Sequence, residues 1–251
     1  MTASSSATPP SCDGAAVFLD FDGTLVEIAP APTSIAVPPG LELLLRRLMK
    51  AVGGAAAIIT GRPIADIDRL VGALDLPVAG VHGSQVRLSS RARVQSNAPP
   101  VPTEAVKALV AVATPFEGAW VEEKGAAVAV HYRAAAPAVV ADLERRLNEV
   151  LRPYADRMIM SPGRKVFEVV PAAMSKGAAL ETLMREPAFR GRRPIMIGDD
   201  RSDEPAMAMA ERLGGVGLRV AGEHFPADGA AFRDPSEVRA WLNEFIEGAE
   251  R

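Results

Sequence analysis

Two acidic residues one position apart follow an apolar run near the start of the chain. Residues 15–19 read Ala-Ala-Val-Phe-Leu, and Asp20-Phe-Asp22-Gly-Thr-Leu comes directly after them. A short apolar run that ends in acid and glycine is typical of a buried parallel strand leaving its sheet. At such a turn both carboxylates approach one point, so that one attacks an electrophile while the other transfers protons. An ordinary Asp-Gly turn is the plain alternative.

A second acidic cluster follows another apolar run. Residues 195–197 are Ile-Met-Ile, and Gly198-Asp199-Asp200-Arg-Ser-Asp203-Glu204 comes next. Four carboxylates within six residues repel one another, and a hard divalent cation such as Mg²⁺ relieves that repulsion. The plain alternative is helix capping by some of these acids and solvation of the rest. Because ligands bind at the carboxyl ends of strands in open α/β sheets, the two acidic clusters predict one shared metal site.

A hydroxyl and an ammonium group complete the set of candidate reactive side chains. Thr60 ends a third apolar run and is placed to donate to a phosphate oxygen. Lys176 lies at a predicted helix start, where the helix dipole disfavours a cation, so a phosphate or carboxylate partner is expected. Taken singly, a loop threonine and an exposed lysine are equally ordinary interpretations.

The predicted elements place these side chains in an α/β fold. Strands are predicted over residues 15–20, 55–60, 78–82, 194–198 and 215–220, and helices over 39–52, 63–71, 175–185, from 203, and 235–247. This alternation predicts a parallel sheet covered on both faces.

The middle of the chain has a different pattern. After the proline-rich stretch 97–103, with Thr103 as an expected helix cap, a hairpin is predicted over 119–124 and 126–132. A helix over 137–150 and a strand pair over 158–161 and 166–170 follow, which predicts a small antiparallel α+β domain. The expected organisation is a disordered tail (1–13), a discontinuous core (14–97 and 172–251) and an inserted α+β domain (98–171).

Composition excludes several classes of protein. The chain has 251 residues, 48% of them apolar, and a formal net charge of −3. Near-neutrality argues against a broad nucleic-acid-binding surface. The one cysteine, Cys12, forms no internal disulfide and fits a reducing compartment, and no apolar stretch approaches the roughly 20 residues of a membrane span. We therefore expect a cytoplasmic protein without nucleic-acid or membrane partners; a monomer is the simplest expectation.

The order of these motifs resembles the haloacid dehalogenase (HAD) superfamily. The matching features are D-x-D-G-T-L from Asp20, the strand-end Thr60, the lone Lys176 and G-D-D-x-x-D from Gly198 to Asp203. The resemblance implies a HAD-like Rossmannoid core with an α+β cap inserted between the threonine and lysine motifs. It also implies phosphoryl transfer through an aspartyl phosphate with Mg²⁺.

Further segments resemble the trehalose-6-phosphate phosphatase family. They are Thr60-Gly-Arg62-Pro, His82-Gly83-Ser, Glu122-Glu-Lys124-Gly, His131-Tyr-Arg133 and Gly163-Arg-Lys-Val-Phe-Glu168-Val-Val-Pro. Two positions depart from the family pattern, because Arg164 replaces a lysine and Gln85 stands where an acid is frequent. The resemblance implies a sugar-phosphate substrate, with Glu122, Lys124, Arg133 and Glu168 holding the sugar hydroxyls and Arg62, His82 and Gly83 also contacting substrate.

The residues themselves are compatible with that placement. Glu122 and Lys124 alternate along a predicted strand and share one face, and Arg133 is expected to end the neighbouring strand. A solvated sheet face with cross-strand ion pairs is the plain alternative. His82 and His131 are interpreted as hydrogen-bonding rather than metal-ligating. Since no aromatic residue is among the predicted sugar contacts, recognition by charged hydrogen bonds rather than by stacking is expected.

The roles implied are those of a Mg²⁺-dependent phosphatase that converts trehalose 6-phosphate to trehalose, the last step of trehalose biosynthesis. Asp20 is the nucleophile, Asp22 the general acid and base, and Thr60 and Lys176 offset phosphoryl charge. Asp20, the Asp22 carbonyl and Asp199 hold the metal, and Asp200 and Asp203 act through water or orient Lys176. The alternatives left open are a phosphatase for sucrose phosphate, glucosylglycerol phosphate or another sugar or polyol phosphate, a phosphosugar mutase, and an inactive sugar-phosphate sensor.

Overall fold

The computed structural model describes residues 12–29, 34–163 and 165–249. Most of the predicted tail (1–13), and Arg164, therefore lie outside the described residues. Cys12 belongs to the fold, because it is buried and its Sγ donates to the Phe245 carbonyl at 2.8 Å. Order thus begins before residue 14, where the core was predicted to start.

Eleven strands and seven α-helices are present in the described ranges. The strands are β1 (Ala15–Leu19), β2 (Ala56–Ile59), β3 (Val78–Gly80), β4 (Gln85–Arg87), β5 (Gln95–Ser96), β6 (Trp120–Glu123), β7 (Val128–His131), β8 (Met158–Gly163), β9 (Val166–Pro171), β10 (Arg193–Gly198) and β11 (Val216–Arg219). The helices are α1 (Leu41–Ala51), α2 (Ile64–Val71), α3 (Thr103–Ala113), α4 (Pro137–Leu151), α5 (Lys176–Met184), α6 (Glu204–Arg212) and α7 (Pro235–Ala249).

The larger sheet has seven strands in the order β11-β10-β1-β2-β3-β4-β5. The five strands from β11 to β3 are parallel, which confirms the predicted α/β class. β4 runs antiparallel to β3 and was not predicted. Its Arg87 is buried, and the two terminal nitrogens of the guanidinium donate to the two oxygens of Asp68 at 2.5 and 2.6 Å. A charged residue at a buried strand position is why the segment lacks the apolar signature of a buried strand.

The central strands are buried because helices cover them. Every residue of β1 is fully or almost fully buried, and the ring of Phe18 stacks on that of Phe189 at 5.3 Å. Helix α1 buries the leucines 41, 44, 45 and 48. Its exposed side carries the Glu42–Arg46 ion pair, four residues apart. This amphipathic pattern is why residues 41–51 form a helix packed on the core.

The middle of the chain forms a separate antiparallel sheet in the order β6-β7-β9-β8. Helices α3 and α4 pack with one face of this sheet around residues such as Val130, Leu143, Leu147 and Phe167. We call the opposite side the polar face; it carries Trp120, Glu122, Lys124, His131, Ser161 and Glu168. The expected cap at Thr103 is wrong: α3 begins at Thr103 itself, after Pro102, and the helix start has no side-chain cap.

The described chain divides into two compact units. One comprises the residues up to Gln95 and those from Ser175 onward, and the other comprises Ser96–Met174. The first contains the parallel strands and the second the four-stranded antiparallel sheet. Each unit has its own hydrophobic core.

None of the helices in the described ranges combines the length and the apolar character that crossing a membrane requires.

Candidate active site

Four parallel strands end at the same edge of the larger sheet, and each delivers a predicted site residue. Asp20 follows β1, Thr60 follows β2, His82 lies just after β3, and Asp199 follows β10. Backbone bonds tie these ends together, since the amide of Asp20 donates to the Ile197 carbonyl at 3.0 Å. The strand-end positions seen in the sequence are thus neighbours in space.

Three buried carboxylates and one buried ammonium group form the centre of this edge. Lys176 Nζ lies 2.8 Å from Asp20 Oδ1 and donates to Asp203 Oδ1 at 2.7 Å. The carboxylates of Asp20, Asp199 and Asp203 each offer an oxygen within 4.8 Å of the others. We refer to these four residues as the acid–lysine cluster. The carboxylate partner expected for Lys176 is therefore present twice.

Burial and mutual repulsion shift the pKa values of this cluster. Burial, and then the charge of Asp203, raise the pKa of Asp20 well above its ordinary value, although Lys176 opposes the shift. The same two causes raise the pKa of Asp199 from 3.8 to about 7. Burial disfavours the charged form of Lys176, but Asp20 and Asp203 outweigh it and raise the pKa of its ammonium. The lysine therefore stays charged, and the carboxylates resist carrying full charge together.

Gly23 and Thr24 allow Asp199 to approach the Asp20 loop. Gly23 has a φ of +78°, and a Cβ at this position would lie 2.1 Å from Asp199 Oδ2. The neighbouring Thr24 Oγ1 donates to Asp199 Oδ1 at 3.2 Å. Glycine is therefore required here both by the turn and by the space that the carboxylate takes.

The side chain of Asp22 is held by Arg62. The guanidinium Nε and a terminal nitrogen of Arg62 donate to the two oxygens of Asp22 at 2.5 and 2.9 Å. This planar bidentate pair fixes the orientation of the carboxylate. Asp22 was expected to bind the metal through its backbone carbonyl, and that stays a prediction.

Two of the carboxylates that follow β10 have different hydrogen-bond partners. Asp203 Oδ2 accepts from the amides of Asp199 and Asp200 at 3.1 and 3.0 Å. Asp200 Oδ1 accepts from the amide of Arg201 at 2.7 Å and lies 2.5 Å from His224 Nδ1. Asp203 therefore orders the loop and the lysine, whereas Asp200 faces a histidine from the loop after β11.

The residues that follow β3 have a strained backbone and are hydrogen-bonded to those that follow β2. Val81 and His82 have φ values of +49° and +54°. Residues other than glycine rarely adopt this backbone conformation. The amide of His82 donates to the Thr60 carbonyl, and Thr60 Oγ1 accepts from the amide of Arg62. Gly83 packs against α5, where a Cβ would lie 2.9 Å from that of Ala179. The geometry gives Gly83 a packing role, and its contact with substrate stays a prediction.

The second unit brings three of the predicted sugar-binding residues together on its polar face. Lys124 Nζ donates to Glu168 Oε1 at 2.9 Å and lies 3.9 Å from Glu122 Oε2. His131 Nε2 is 2.8 Å from Glu122 Oε2, and this hydrogen bond is the main cause of the lowered pKa of Glu122. Arg133 does not end the strand as expected. β7 stops at His131, because the chain turns where the Ala135 amide bonds to the Tyr132 carbonyl.

The acid–lysine cluster fits a divalent cation. Three carboxylates face one ammonium group, and oxygen donors are what hard cations such as Mg²⁺ take. Among the residues that the structure describes, hydrogen bonds occupy both oxygens of Asp203 but only one oxygen each of Asp20 and Asp199. Asp20 and Asp199 are therefore the side chains best placed to hold the metal.

The structure brings some, but not all, of the predicted site residues into one cluster. The structure brings Asp20, Lys176, Asp199 and Asp203 into one cluster and pairs Asp22 with Arg62 beside it. Two partners were not expected from the sequence: Thr24 for Asp199 and His224 for Asp200. His224 follows the last parallel strand, and that strand-end position is the signal that would have found it.

Comparison with known proteins decides the family. Residues 18–229 match the trehalose-phosphatase family. A probable trehalose-phosphate phosphatase of Sinorhizobium fredii is 40% identical over 225 residues, which are 89% of this chain and 84% of that protein. The chain belongs to the trehalose-phosphatase family. The resemblance inferred from the motifs is therefore confirmed.

Solved structures confirm the HAD-like fold of this trehalose-phosphatase family member. The trehalose-6-phosphate phosphatase C-terminal domain of Candida albicans matches with a TM-score of 0.81 at 18% identity, over 93% of this chain and 92% of that one. A haloacid dehalogenase-like hydrolase from Bacteroides thetaiotaomicron matches with a TM-score of 0.65 at 15% identity, over 94% and 98%. At these identities the likeness concerns the fold alone.

Proposed function

We propose that this chain is a Mg²⁺-dependent phosphatase that hydrolyses trehalose 6-phosphate to trehalose and phosphate. The observation that carries the proposal is the buried ammonium of Lys176 between the carboxylates of Asp20 and Asp203, at the carboxyl edge of the parallel sheet. Membership of the trehalose-phosphatase family supports the substrate.

The chemistry proceeds in two displacements. An oxygen of Asp20 attacks phosphorus and the bond from phosphorus to the sugar oxygen breaks, while Asp22 gives its proton to the departing oxygen. Water then attacks phosphorus of the aspartyl phosphate, Asp22 takes the proton, and phosphate leaves with Asp20 restored. Lys176 and Thr60 offset the negative charge on the phosphoryl oxygens, where catalysis of phosphoryl transfer mainly acts. When bound by Asp20 and Asp199, Mg²⁺ supplies further charge compensation there.

The two units have different roles in the proposed reaction. The α/β unit carries the reaction, and the antiparallel unit, predicted as a cap, supplies Glu122, Lys124 and Glu168 to hold sugar hydroxyls. Charged groups of both signs recognise hydroxyls well, because each hydroxyl both donates and accepts. The substrate contacts of Arg62, His82 and Arg133, the cytoplasmic location and the monomeric state stay predictions.

Phosphate release tests the proposal. Purified protein with Mg²⁺ is given trehalose 6-phosphate, glucose 6-phosphate or sucrose 6-phosphate, and kcat/KM is compared. We expect the trehalose ester to be preferred, and Asp20→Asn to lower its turnover by at least roughly 10³-fold. The control is Asp156→Asn, the same chemical change at an exposed carboxylate of the second unit, which should leave turnover unchanged.

Each alternative has its own outcome. Equal kcat/KM on all three esters would exclude trehalose 6-phosphate as the specific substrate. A requirement for a bisphosphate activator with little phosphate release would favour a mutase. Unchanged turnover in Asp20→Asn would refute the nucleophile assignment.

A further inference from the structure

An exposed indole ring lies on the polar face beside the predicted sugar-binding residues. Trp120 is 48% exposed, although tryptophan is usually well buried. It is the first residue of β6, and Glu122 is two positions further along the same strand. Since side chains alternate along a strand, Trp120, Glu122 and Lys124 all project to the polar face.

The ring is held in place by a cross-strand partner. Trp120 pairs with His131 on β7, and the two rings stack with centroids 4.0 Å apart and planes inclined by 13°. The same imidazole bonds to Glu122 through Nε2. His131 therefore fixes the orientation of both the indole and the carboxylate, so that a flat apolar surface borders a row of charged hydrogen-bonding groups.

The chemistry of this row selects a neutral polyol rather than a phosphate. Two carboxylates, Glu122 and Glu168, lie beside one ammonium group, Lys124, so a phosphate would meet net repulsion here. A pyranose ring presents hydroxyls at its rim and apolar C–H groups on its faces. Hydroxyls suit the charged groups, and the C–H faces suit a flat aromatic surface.

We propose that Trp120 is a stacking platform for a pyranose ring of the substrate and thereby sets specificity for the sugar. This rests on the proposed function, and it replaces the expectation that recognition uses charged hydrogen bonds alone. The indole binds one face of the sugar while Glu122, Lys124 and Glu168 bind its hydroxyls.

Steady-state kinetics on the full chain tests the platform. Trp120→Ala should raise KM for trehalose 6-phosphate by about 5–30-fold, the loss expected for about 1–2 kcal/mol of ring contact, with kcat changed by less than about threefold. Trp120→Phe, which keeps a flat ring, should recover most of the loss. All variants should keep the thermal unfolding midpoint of the wild-type protein, which separates a loss of sugar binding from a loss of folding. Val110→Ala, at an exposed apolar residue of α3, is the control and should not change KM.

A fluorescence titration gives an independent readout. The chain has two tryptophans, and Trp241 is buried in the α/β unit. In a Trp241→Phe background, trehalose should change the emission of Trp120 in a saturable manner.

The outcomes separate the two hypotheses. Efficient hydrolysis of trehalose 6-phosphate with an unchanged KM in Trp120→Ala would overturn the platform and leave the proposed function standing. If wild-type protein does not hydrolyse that ester, the proposed function fails, and the same KM comparison is made with the sugar phosphate it hydrolyses best. A lowered unfolding midpoint in both Trp120→Ala and Trp120→Phe, with kcat falling as well, would show a structural role and overturn the platform too.

Discussion

Asp199 is a buried carboxylate whose ionisation opposes folding. Its pKa is raised from 3.8 to about 7 by burial and by Asp203, so the folded chain holds a proton that the unfolded chain has already released. Where the folded state binds more protons, stability falls as pH rises. The metal-free protein should therefore lose stability between about pH 4 and pH 7. A divalent cation binds the ionised carboxylate, so metal binding should strengthen over the same range.

Replacing Asp199 by Asn separates the two effects. We expect metal-free Asp199→Asn to be more stable than wild type at pH 8, by about 1–2 kcal/mol or about 2–8 °C in Tm, because one buried like charge is gone. We also expect Mg²⁺ to raise the Tm of wild type but not of the variant. Thermal melts with EDTA and with Mg²⁺ at pH 5.5 and pH 8 measure both.

The control for this prediction is Asp156→Asn, the same chemical change at an exposed carboxylate of the second unit. It should keep most of the Mg²⁺-dependent rise. An equal rise in Asp199→Asn and wild type would contradict the assignment of Asp199 to the metal.

At the level of single residues, position on a strand end was the informative signal. It identified Asp20, Thr60 and Asp199 because parallel strands bring their carboxyl ends to one edge whatever the loops do. The bidentate bond of Arg62 to Asp22 was not predictable, because it depends on side-chain directions in two loops. His224, the partner of Asp200, was missed although it too follows the end of a parallel strand.

Helices α5 and α6 approach each other closely where Lys176 enters the site. A Cβ on Gly177 would lie 2.5 Å from the Pro205 carbonyl oxygen and 2.8 Å from its carbon. Both contacts are with backbone, which cannot rotate away. Because residue 177 has no side chain, α5 packs close to α6, and this packing places Lys176 against Asp20 and Asp203.

Gly177→Ala should therefore damage activity. The added methyl group pushes α5 from α6, at a cost of about 1–3 kcal/mol, and displaces the ammonium of Lys176. We expect kcat/KM to fall by about 10²-fold, since small misplacements of catalytic groups have large effects on rate. Kinetics and a thermal melt on the same preparation measure the two losses.

Gly248→Ala is the matched control. Gly248 lies in α7, and no atom of the described residues lies within 4 Å of a Cβ added there. The same substitution should therefore be neutral or slightly stabilising. Retention of wild-type kcat/KM in Gly177→Ala would show that the approach of the helices does not position Lys176.

At the level of elements, long periodic segments were predictable and short ones were not. α1, α4 and α7 were recognised from apolar spacing, because each buries one stripe. β4 and β5 have three and two residues and lack an apolar signature. The strands of the hairpin were predicted too long, since turn hydrogen bonds at Lys124 and Tyr132 end the pairing early.

For the whole molecule, the two separate cores are the dominant feature. Leu147 of α4 lies in the core of the antiparallel unit, and Leu48 of α1 lies in that of the α/β unit. Both side chains are fully buried. Truncating either removes packing from one core and leaves the other intact.

Leu147→Ala and Leu48→Ala should each destabilise one unit by about 2–5 kcal/mol. Each unit contains one tryptophan, so single-tryptophan variants report on them separately during denaturant unfolding. We expect Leu147→Ala to lower the midpoint reported by Trp120, and Leu48→Ala that reported by Trp241. If both substitutions lowered both midpoints equally, the chain would unfold as a single cooperative structure.

The strand order also has a consequence for how the chain is made. β1 lies between β2 and β10, yet β10 is synthesised about 170 residues after β1, or roughly 10–35 s later at ordinary translation rates. During that time the edge of β1 that pairs with β10 has no partner strand on the nascent chain, while the whole antiparallel unit emerges and folds. The acid–lysine cluster cannot form before Asp203 has left the ribosome. Protection of the β1 edge during synthesis is therefore a requirement that this topology imposes on the cell.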